Sequence, residues 1–173
     1  MTNYHGWVVA HAQEPDEVDV IVDAWKRERP DVDVSAMQVL SRVSRLARHL
    51  DRARKQAFAA HDLETWEFDV LAALRRAGPP YDLSPGRLVA ETLVTSGTMT
   101  NRVDRLVDRG LVERRPDPGD RRGVLVSLTA SGRRTVDAAL DELLVHEREI
   151  LAALDTAEAT RLADALRILA RNV

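Results

Sequence analysis

The feature that most restricts how this chain can fold is a change of sequence period at Gly110. Residues 96–109 carry apolar side chains at helical spacing. Beyond Gly110 come two short runs rich in β-branched residues, Leu111–Arg115 and Val124–Leu128, which predict two strands. The segment that joins them, RRPDPGDRRG, holds four arginines, two prolines and two glycines, and we expect it to be an exposed loop. The pattern therefore predicts a helix followed by a hairpin with a long tip.

Helical patterns account for most of the remaining chain. A short helix is expected to end near Pro30, and another, over residues 64–78, stops at Gly78. The order is four or five helices, a hairpin and two further helices, so the fold class is mainly α with a small β-hairpin. Helix starts are indicated at Asp16, at Ser35 with Gln38 in capping-box spacing, at Ser84 before Pro85, at Thr129, and at Asp155 with Glu158.

Composition excludes several classes of protein. The chain has no cysteine, which rules out disulfides, thiolate metal sites and cysteine nucleophiles. The N-terminus lacks a basic segment followed by an apolar run, and no apolar run approaches membrane-spanning length. We therefore expect a cytoplasmic protein with no membrane partner. The five histidines show no metal-ligand spacing, and no constellation of catalytic residues stands out, so we expect no metal, no cofactor and no enzymatic activity.

Two helices joined by a short turn and followed by a hairpin form a winged helix-turn-helix. The helix over 96–109 is the candidate DNA reader, because an α-helix fits the major groove and its N-terminus offers short polar groups and a partial positive charge. Arginines at the hairpin tip suit the negative potential of a narrow minor groove. The candidate DNA-binding residues are Ser96, Thr98, Thr100, Asn101, Arg102 and Arg105 on the helix, and Asp120, Arg121 and Arg122 on the wing.

Two alternatives stay open for these cations. Arg105 and Arg109 can extend towards phosphates or pair with Asp104 and Asp108, and the hairpin tip can be an ordinary charged turn. The net charge of −3 argues against a general nucleic-acid coat, so a DNA-binding surface has to be local.

From about residue 35 to the C-terminus the sequence resembles the MarR family of bacterial transcription regulators. The most specific part is the wing, with Asp117-Pro118, then Asp120-Arg121-Arg122, followed by VLV and LT before Gly132. By this resemblance Asp120 orients an arginine, Arg122 enters the minor groove and Arg121 lies near the backbone. The resemblance also implies a triangular homodimer with interlocked N- and C-terminal helices.

A homodimer has support from the residues themselves. In the two C-terminal helices, predicted to begin at Thr129 and Asp155, the segments 136–154 and 162–173 are too apolar to stand alone on a surface. A two-fold dimer would present two reading helices to a pseudo-palindromic operator in double-stranded DNA; the alternative is packing within one chain. The expected organisation is a loose segment over 1–15, N-terminal helices over 16–62, the DNA-binding lobe over 63–128 and C-terminal dimerisation helices over 129–173.

The additional N-terminal helix, which contains Trp25, resembles one branch of the family in particular, the branch that includes the PecS, TamR and urate-responsive regulators. That likeness implies a ligand site made of Trp25, Asp69, Arg102 and Arg114. A planar, anionic ligand would use a flat apolar wall, a guanidinium and a carboxylate acceptor, which these side chains supply. Alternatively, Asp69 forms an interior salt bridge, Trp25 belongs to the core and Arg102 binds only phosphate.

The function expected from the sequence is that of a DNA-binding regulator, taken to be a repressor, which a small anionic or aromatic effector releases. The alternative is a constitutive DNA-binding or architectural module that has no effector. A ligand that recruits residues of the reading helix and the wing would couple its own binding to release of DNA.

Overall fold

The structure, a computed structural model, describes residues 14–171, apart from the side chain of Arg121. The segment predicted to be loose, residues 1–15, therefore lies almost wholly outside the described part of the chain. The elements follow in the order α1 (Glu17–Glu28), α2 (Met37–Ala59), α3 (Thr65–Arg76), β1 (Asp82–Leu83), α4 (Pro85–Thr92), α5 (Ser96–Asp108), β2 (Val112–Asp117), β3 (Asp120–Leu128), α6 (Ala130–Leu151) and α7 (Thr156–Ala170).

The chain divides into two compact units. One, the terminal unit, comprises the residues up to Arg52 together with those from Glu147 onward. The other, the winged unit, comprises Ala53–His146 and contains the helix pair α4–α5 and the sheet. Each unit is considered by itself.

Helix α3 is the centre of the winged unit. Its residues Val70, Leu71 and Leu74 are fully buried, because apolar side chains occupy more than one of its faces. Leu88 of α4 and Leu106 of α5 are also fully buried and belong to the same apolar core. This packing fixes the two helices of the helix-turn-helix on one scaffold and leaves the polar N-terminal turn of α5 exposed.

The hairpin differs from the prediction, because the expected long loop is largely strand. Strand β2 runs to Asp117 and β3 begins at Asp120, so only Pro118 and Gly119 form the tip. The side chains there are mostly exposed, but cross-strand backbone pairing does not require burial. The Asp117 carboxylate accepts the backbone N–H of Gly119 at 2.8 Å, which closes the turn.

The sheet has three strands, in the order β1-β3-β2, where the sequence predicted only two. Strand β1 is two residues long, with Asp82 opposite Ser127 and Leu83 opposite Val126. A strand this short has no detectable period. It forms because β3 offers its second edge, and it joins the start of the helix-turn-helix to the wing.

A close contact fixes the base of the wing against α6. The Thr129 hydroxyl donates to the carbonyl oxygen of Gly110 at 2.8 Å and accepts the N–H of Gly132 at 2.9 Å, which confirms Thr129 as the N-terminal cap. A Cβ on Gly132 would lie 1.9 Å from the carbonyl oxygen of Leu111, so this position requires glycine.

In the terminal unit, α1 begins at a complete capping box formed by Asp16 and Asp19. Arg42 of α2 binds both carboxylates, at 2.8 Å and 2.9 Å. The capping box predicted from Ser35 and Gln38 does not form: α2 begins at Met37, and the N–H of Gln38 donates to the backbone oxygen of Ser35 instead. The predicted box at the start of α7, formed by Asp155 and Glu158, is confirmed.

Candidate nucleic-acid interface and adjoining cavity

The N-terminal turn of α5 presents an exposed polar surface. Ser96, Thr98, Thr100 and Asn101 are all exposed, as expected of residues that read DNA. Thr95 caps the helix, because its hydroxyl accepts the N–H of Thr98 at 3.3 Å. The Thr100 hydroxyl donates to the backbone oxygen of Ser96 at 3.1 Å. The first turn of α5 is therefore exposed at a capped helix end, where backbone N–H groups suit phosphate oxygens.

The wing carries its cations on a strand rather than on a loop. Arg122 is exposed near the start of β3. The described contact of Asp120 is with the backbone of Arg122, whose N–H donates to the carboxylate at 2.9 Å. Asp120 therefore orders the main chain that carries Arg122. The Arg121 side chain lies outside the described residues, so its predicted contact with the DNA backbone stays a prediction.

Arginines farther along α5 have partners within the winged unit. The Arg105 guanidinium binds the Glu64 carboxylate at 2.7 Å and lies 4.8 Å from the centre of the Trp66 ring. The predicted alternative partner of Arg105, Asp104, instead binds Arg114 of β2 at 2.6 Å. Arg114 thus ties the wing to α5. Because both pairs are solvent-exposed, each is weak and open to exchange with a phosphate.

Arg109, the C-cap residue of α5, makes the most buried ion pair among the described residues of the winged unit. Its guanidinium donates to the Glu67 carboxylate at 2.6 Å and to the Asp62 carboxylate at 2.7 Å. The Glu67 side chain is only 1% exposed, whereas that of Arg109 is 32% exposed. The Glu67 hydrogen bond is the main reason that the pKa of Arg109 is raised. This contact fixes the C-terminal end of α5 on α3.

A cavity of about 520 Å³ lies beside the N-terminal end of α3. Asp69 and Arg102, two of the four ligand-site residues implied by the resemblance, line it together with Trp66. Arg102 is half-buried, and its guanidinium lies 5.3 Å from the centre of the Trp66 ring. The remaining walls come from Lys55, Leu63, Glu64 and Thr65.

The charges of the cavity are mixed. Asp69 lies 3.5 Å from Arg54 of α2, a long contact that leaves the carboxylate able to accept another donor. Glu64 accepts the indole N–H of Trp66 at 2.9 Å, and this bond, followed by that from Arg105, holds the pKa of Glu64 below its usual value. Lys55 and Arg102 supply positive charge, so the cavity can accept an anion while Asp69 binds a donor group.

The other two residues of the predicted ligand site are not among the side chains described as lining this cavity, and their role stays a prediction. Trp25 belongs to the terminal unit, on α1, and is 47% exposed. Arg114 is in the winged unit, but over the described range it is not among the side chains lining the cavity. The structure therefore brings Asp69 and Arg102 together and adds Trp66, a residue that the resemblance did not include.

A simple signal could have identified Trp66. Trp66 and Asp69 are three residues apart, so they share one face of a helix. The N-cap role of Thr95 was also readable, since Ser and Thr are preferred immediately before a helix. The pairing of Arg105 with Glu64 joins positions 41 residues apart, and no local pattern reports such a contact.

Within residues 14–171 no helix is long and apolar enough to cross a membrane, and no group of three or more His, Asp or Glu side chains is arranged to hold a metal ion.

Comparison with known proteins identifies sequence relatives. Residues 61–123 match the model of the MarR family. The chain is 40% identical over 146 residues to the HTH-type transcriptional regulator PecS of Dickeya dadantii, over 84% of this chain and 88% of PecS. It is 44% identical over 78 residues to the HTH-type transcriptional repressor NicR of Pseudomonas putida, over 45% of this chain and 48% of NicR.

Solved structures show the same fold. A MarR variant from Escherichia coli in complex with operator DNA has a TM-score of 0.65 and 28% identity, over 80% of this chain and 99% of that chain. BpsR of Bordetella bronchiseptica, whose DNA binding is regulated by 6-hydroxynicotinic acid, has a TM-score of 0.66 and 27% identity, over 80% of this chain and 97% of BpsR.

Proposed function

Because the chain belongs to the MarR family of transcription regulators, we propose that it represses transcription by binding a pseudo-palindromic operator as a homodimer, and that a small planar anion releases it. The observation that carries the proposal is the exposed polar turn at the start of α5, held on the same unit as an arginine-bearing wing. Such a pair of elements can read a major groove and contact the neighbouring minor groove.

The DNA contacts divide by the chemistry of the side chains. Ser96, Thr98, Thr100 and Asn101 are short groups that hydrogen-bond phosphates and base edges. Arg102 directly follows Asn101 and Arg105 lies about one turn farther along α5; both reach phosphates once they leave Trp66 and Glu64. Arg122 inserts into the minor groove from a strand whose direction Asp120 fixes, and Arg121 lies along the backbone.

The wing contact is tested with Arg122→Ala, measured on an operator selected from random duplexes with the unaltered protein. We expect DNA binding to weaken by about 1–3 kcal/mol, the range for loss of a good base-level contact. Arg115→Ala is the matched control, since Arg115 is an exposed arginine of β2 that pairs with Glu113. Equal affinities of Arg122→Ala and the unaltered protein would refute the minor-groove role.

The homodimer is proposed from the terminal unit. Helix α7 has no buried residue, and Leu162, Leu166 and Leu169 are 39%, 39% and 44% exposed at helical spacing. Leu162 and Leu166 line a mainly apolar cavity with residues of α2, including Val43 and Leu46. An apolar face of this kind on a water-soluble unit indicates a protein contact, and a second copy of the same chain would cover it.

Sedimentation at micromolar concentration tests this proposal. The unaltered chain is expected to sediment as a dimer and Leu166→Lys as a monomer. Leu93→Lys places the same charge on a leucine that is 91% exposed in the winged unit, and it should leave the dimer intact. A monomeric unaltered chain would contradict the proposal.

The effector response is proposed from the cavity that contains Asp69 and Arg102. Its cations suit an anion, and Asp69 suits a ring N–H or hydroxyl donor of the ligand. Arg114 would respond indirectly, through the contact with Asp104 that joins the wing to α5. BpsR supports a planar acid as the chemical class, because 6-hydroxynicotinic acid regulates its DNA binding.

A ligand panel separates this proposal from the constitutive alternative. Urate, 6-hydroxynicotinate and salicylate are added to the protein–operator complex, and DNA release and thermal stability are measured. Asp69→Asn is expected to keep its affinity for DNA and to lose ligand-induced release. If no planar anion changes either DNA binding or stability, the chain is a constitutive DNA-binding module.

A further inference from the structure

The Trp66 ring lies at a junction of opposing charges. Two guanidiniums of α5 approach it, that of Arg105 at 4.8 Å and that of Arg102 at 5.3 Å from the ring centre. Arg102 lines the cavity together with Trp66, whereas Arg105 contacts the ring without being one of the described lining residues. The cation that lies on this ring and lines the cavity is therefore Arg102, which belongs to the candidate DNA-reading helix.

The orientation of Trp66 is fixed by hydrogen bonding. Its indole N–H donates to Glu64 at 2.9 Å, and the same carboxylate accepts from Arg105 at 2.7 Å. A ring held in this way loses little conformational freedom when a ligand stacks on it. Trp66 is half-buried, so part of its surface is open to the cavity. The Trp66 ring is thus a preformed flat wall of the cavity, held in place by its hydrogen bond to Glu64.

We propose that Trp66 is the specificity-determining wall of the effector cavity, and that a planar anion stacks on its ring in the place now taken by the Arg102 guanidinium. This inference rests on the proposed effector response and adds to it the residue that selects planar ligands. It adds, to the residues that the sequence resemblance implied, a tryptophan that shares the cavity with Asp69 and Arg102.

Displacement of the Arg102 guanidinium from the Trp66 ring by the anion would also regulate DNA binding. A cation–π contact stabilises Arg102 only while the ring face is free. When an anion covers that face, Arg102 turns to the negative charge of the ligand, because a half-buried charge pair is stronger than an exposed one. Arg102 is then unavailable to DNA phosphate, while Glu64 and Arg105 continue to hold the ring.

The test compares three variants in the full-length chain: Trp66→Leu, Trp66→Phe and Tyr81→Leu. Tyr81 is the matched control, because Arg75 and Arg133 lie 5.1 Å and 5.6 Å from its ring centre in the same unit, outside the effector cavity. The probes are 6-hydroxynicotinate and urate, which are planar anions, and cyclohexanecarboxylate, which is a saturated anion. Affinity is measured by calorimetry and quenching of tryptophan emission.

Trp66→Leu is expected to weaken binding of the planar probes about tenfold, the usual scale for loss of an aromatic stacking partner, while Trp66→Phe restores most of it. Tyr81→Leu should bind the planar probes normally. The preference for planar over saturated anions should fall in Trp66→Leu alone, a change that mere loosening of the fold would not produce.

The outcomes separate the two proposals. If the unaltered protein binds no planar anion, the effector response itself is wrong, and the inference falls with it. If the unaltered protein binds them and Trp66→Leu binds equally well, only the role of Trp66 is refuted. Equal losses in Trp66→Leu and Tyr81→Leu would also refute it, since they would show general destabilisation.

Discussion

Replacing Arg109 alone with methionine should destabilise the protein more than replacing Arg109 and Glu67 together with uncharged residues. Arg109 ends α5, and its guanidinium binds the buried Glu67 carboxylate at 2.6 Å. Arg109→Met removes the positive charge and leaves that carboxylate, 1% exposed, without its ionic partner. Loss of one member leaves a desolvated charge, which is far more costly than loss of the pair.

The magnitude follows from the burial of the two partners. Breaking a fully buried pair by removing one partner costs about 3–5 kcal/mol. Because the Arg109 side chain is 32% exposed, water already weakens the pair, and we expect a loss near the lower limit, about 3 kcal/mol. In the double variant no charge stays buried, and the main loss is the N-cap bond from Glu64 N–H to Glu67, worth about 1 kcal/mol.

The assay is urea unfolding followed by circular dichroism at one protomer concentration, since a dimer makes stability depend on concentration. Arg76→Met is the matched control: its ion pair with Glu91 is exposed and long, at 3.4 Å, and its loss should not change the midpoint measurably. The reasoning is wrong if the double variant is no more stable than Arg109→Met.

Three further predictions concern local structure. Gly132→Ala should cost about 3 kcal/mol or more, because its Cβ would lie 1.9 Å from a backbone oxygen; Gly97→Ala, with no atom within 4 Å, should not destabilise the protein in the same unfolding measurement. Leu93→Asn should raise the free energy of unfolding by about 0.5–1 kcal/mol, because Leu93 is 91% exposed and has a left-handed φ of 54°, and a lower melting temperature would contradict this. Hydrogen bonds from Arg42 and from backbone N–H groups hold the pKa values of Asp16 and Asp19 below their ordinary value of 3.8. The stability that these two carboxylates contribute is therefore complete above that pH and is lost as the pH falls below it. In a pH titration of helix content, the Arg42→Met variant should show a smaller loss of this kind than the unaltered protein.

Local sequence signals were sufficient for the helices. The caps at Ser84, Thr129 and Asp155 all accept a backbone N–H, as predicted. Their chemistry acts over three residues, so it can be read without knowing the fold. The predicted capping box at Ser35 failed because Asp33 accepts the N–H of Ser35 at 2.9 Å and a turn precedes the helix.

The wing shows the limit of such signals. Proline, glycine and charge indicated a loop over RRPDPGDRRG, yet the strands continue to Asp117 and from Asp120. Their pairing is between residues distant along the chain, such as Val112 and Leu128, and once that register is fixed the ladder extends through polar residues. Strand β1 likewise pairs with the second edge of β3, and this edge exists only once the sheet has formed, so the sequence of β1 alone does not predict it.

The candidate ligand cavity could be predicted only in part, because its walls come from segments distant along the chain. The resemblance supplied Asp69 and Arg102, and these two do line one cavity. What it could not supply is which aromatic ring shares the cavity, because that depends on how the N-terminal end of α3 packs beside α5. The spacing places Trp66 on the helix face that carries Asp69, and its distance from two guanidiniums then distinguishes it from an ordinary core tryptophan.

The arginines of the winged unit give a physical account of the proposed binding and release of DNA by a chain of net charge −3. Arg105 rests against Trp66 and Glu64, in a contact exposed enough to exchange for phosphate at little cost, and the half-buried Arg102 rests against the Trp66 ring. Arg122 is exposed, and no ion pair of its side chain is found among the described residues. An effector anion in the cavity would give Arg102 a half-buried partner that phosphate cannot easily replace. Competition for one guanidinium then couples ligand binding to DNA release without requiring a large movement of α5.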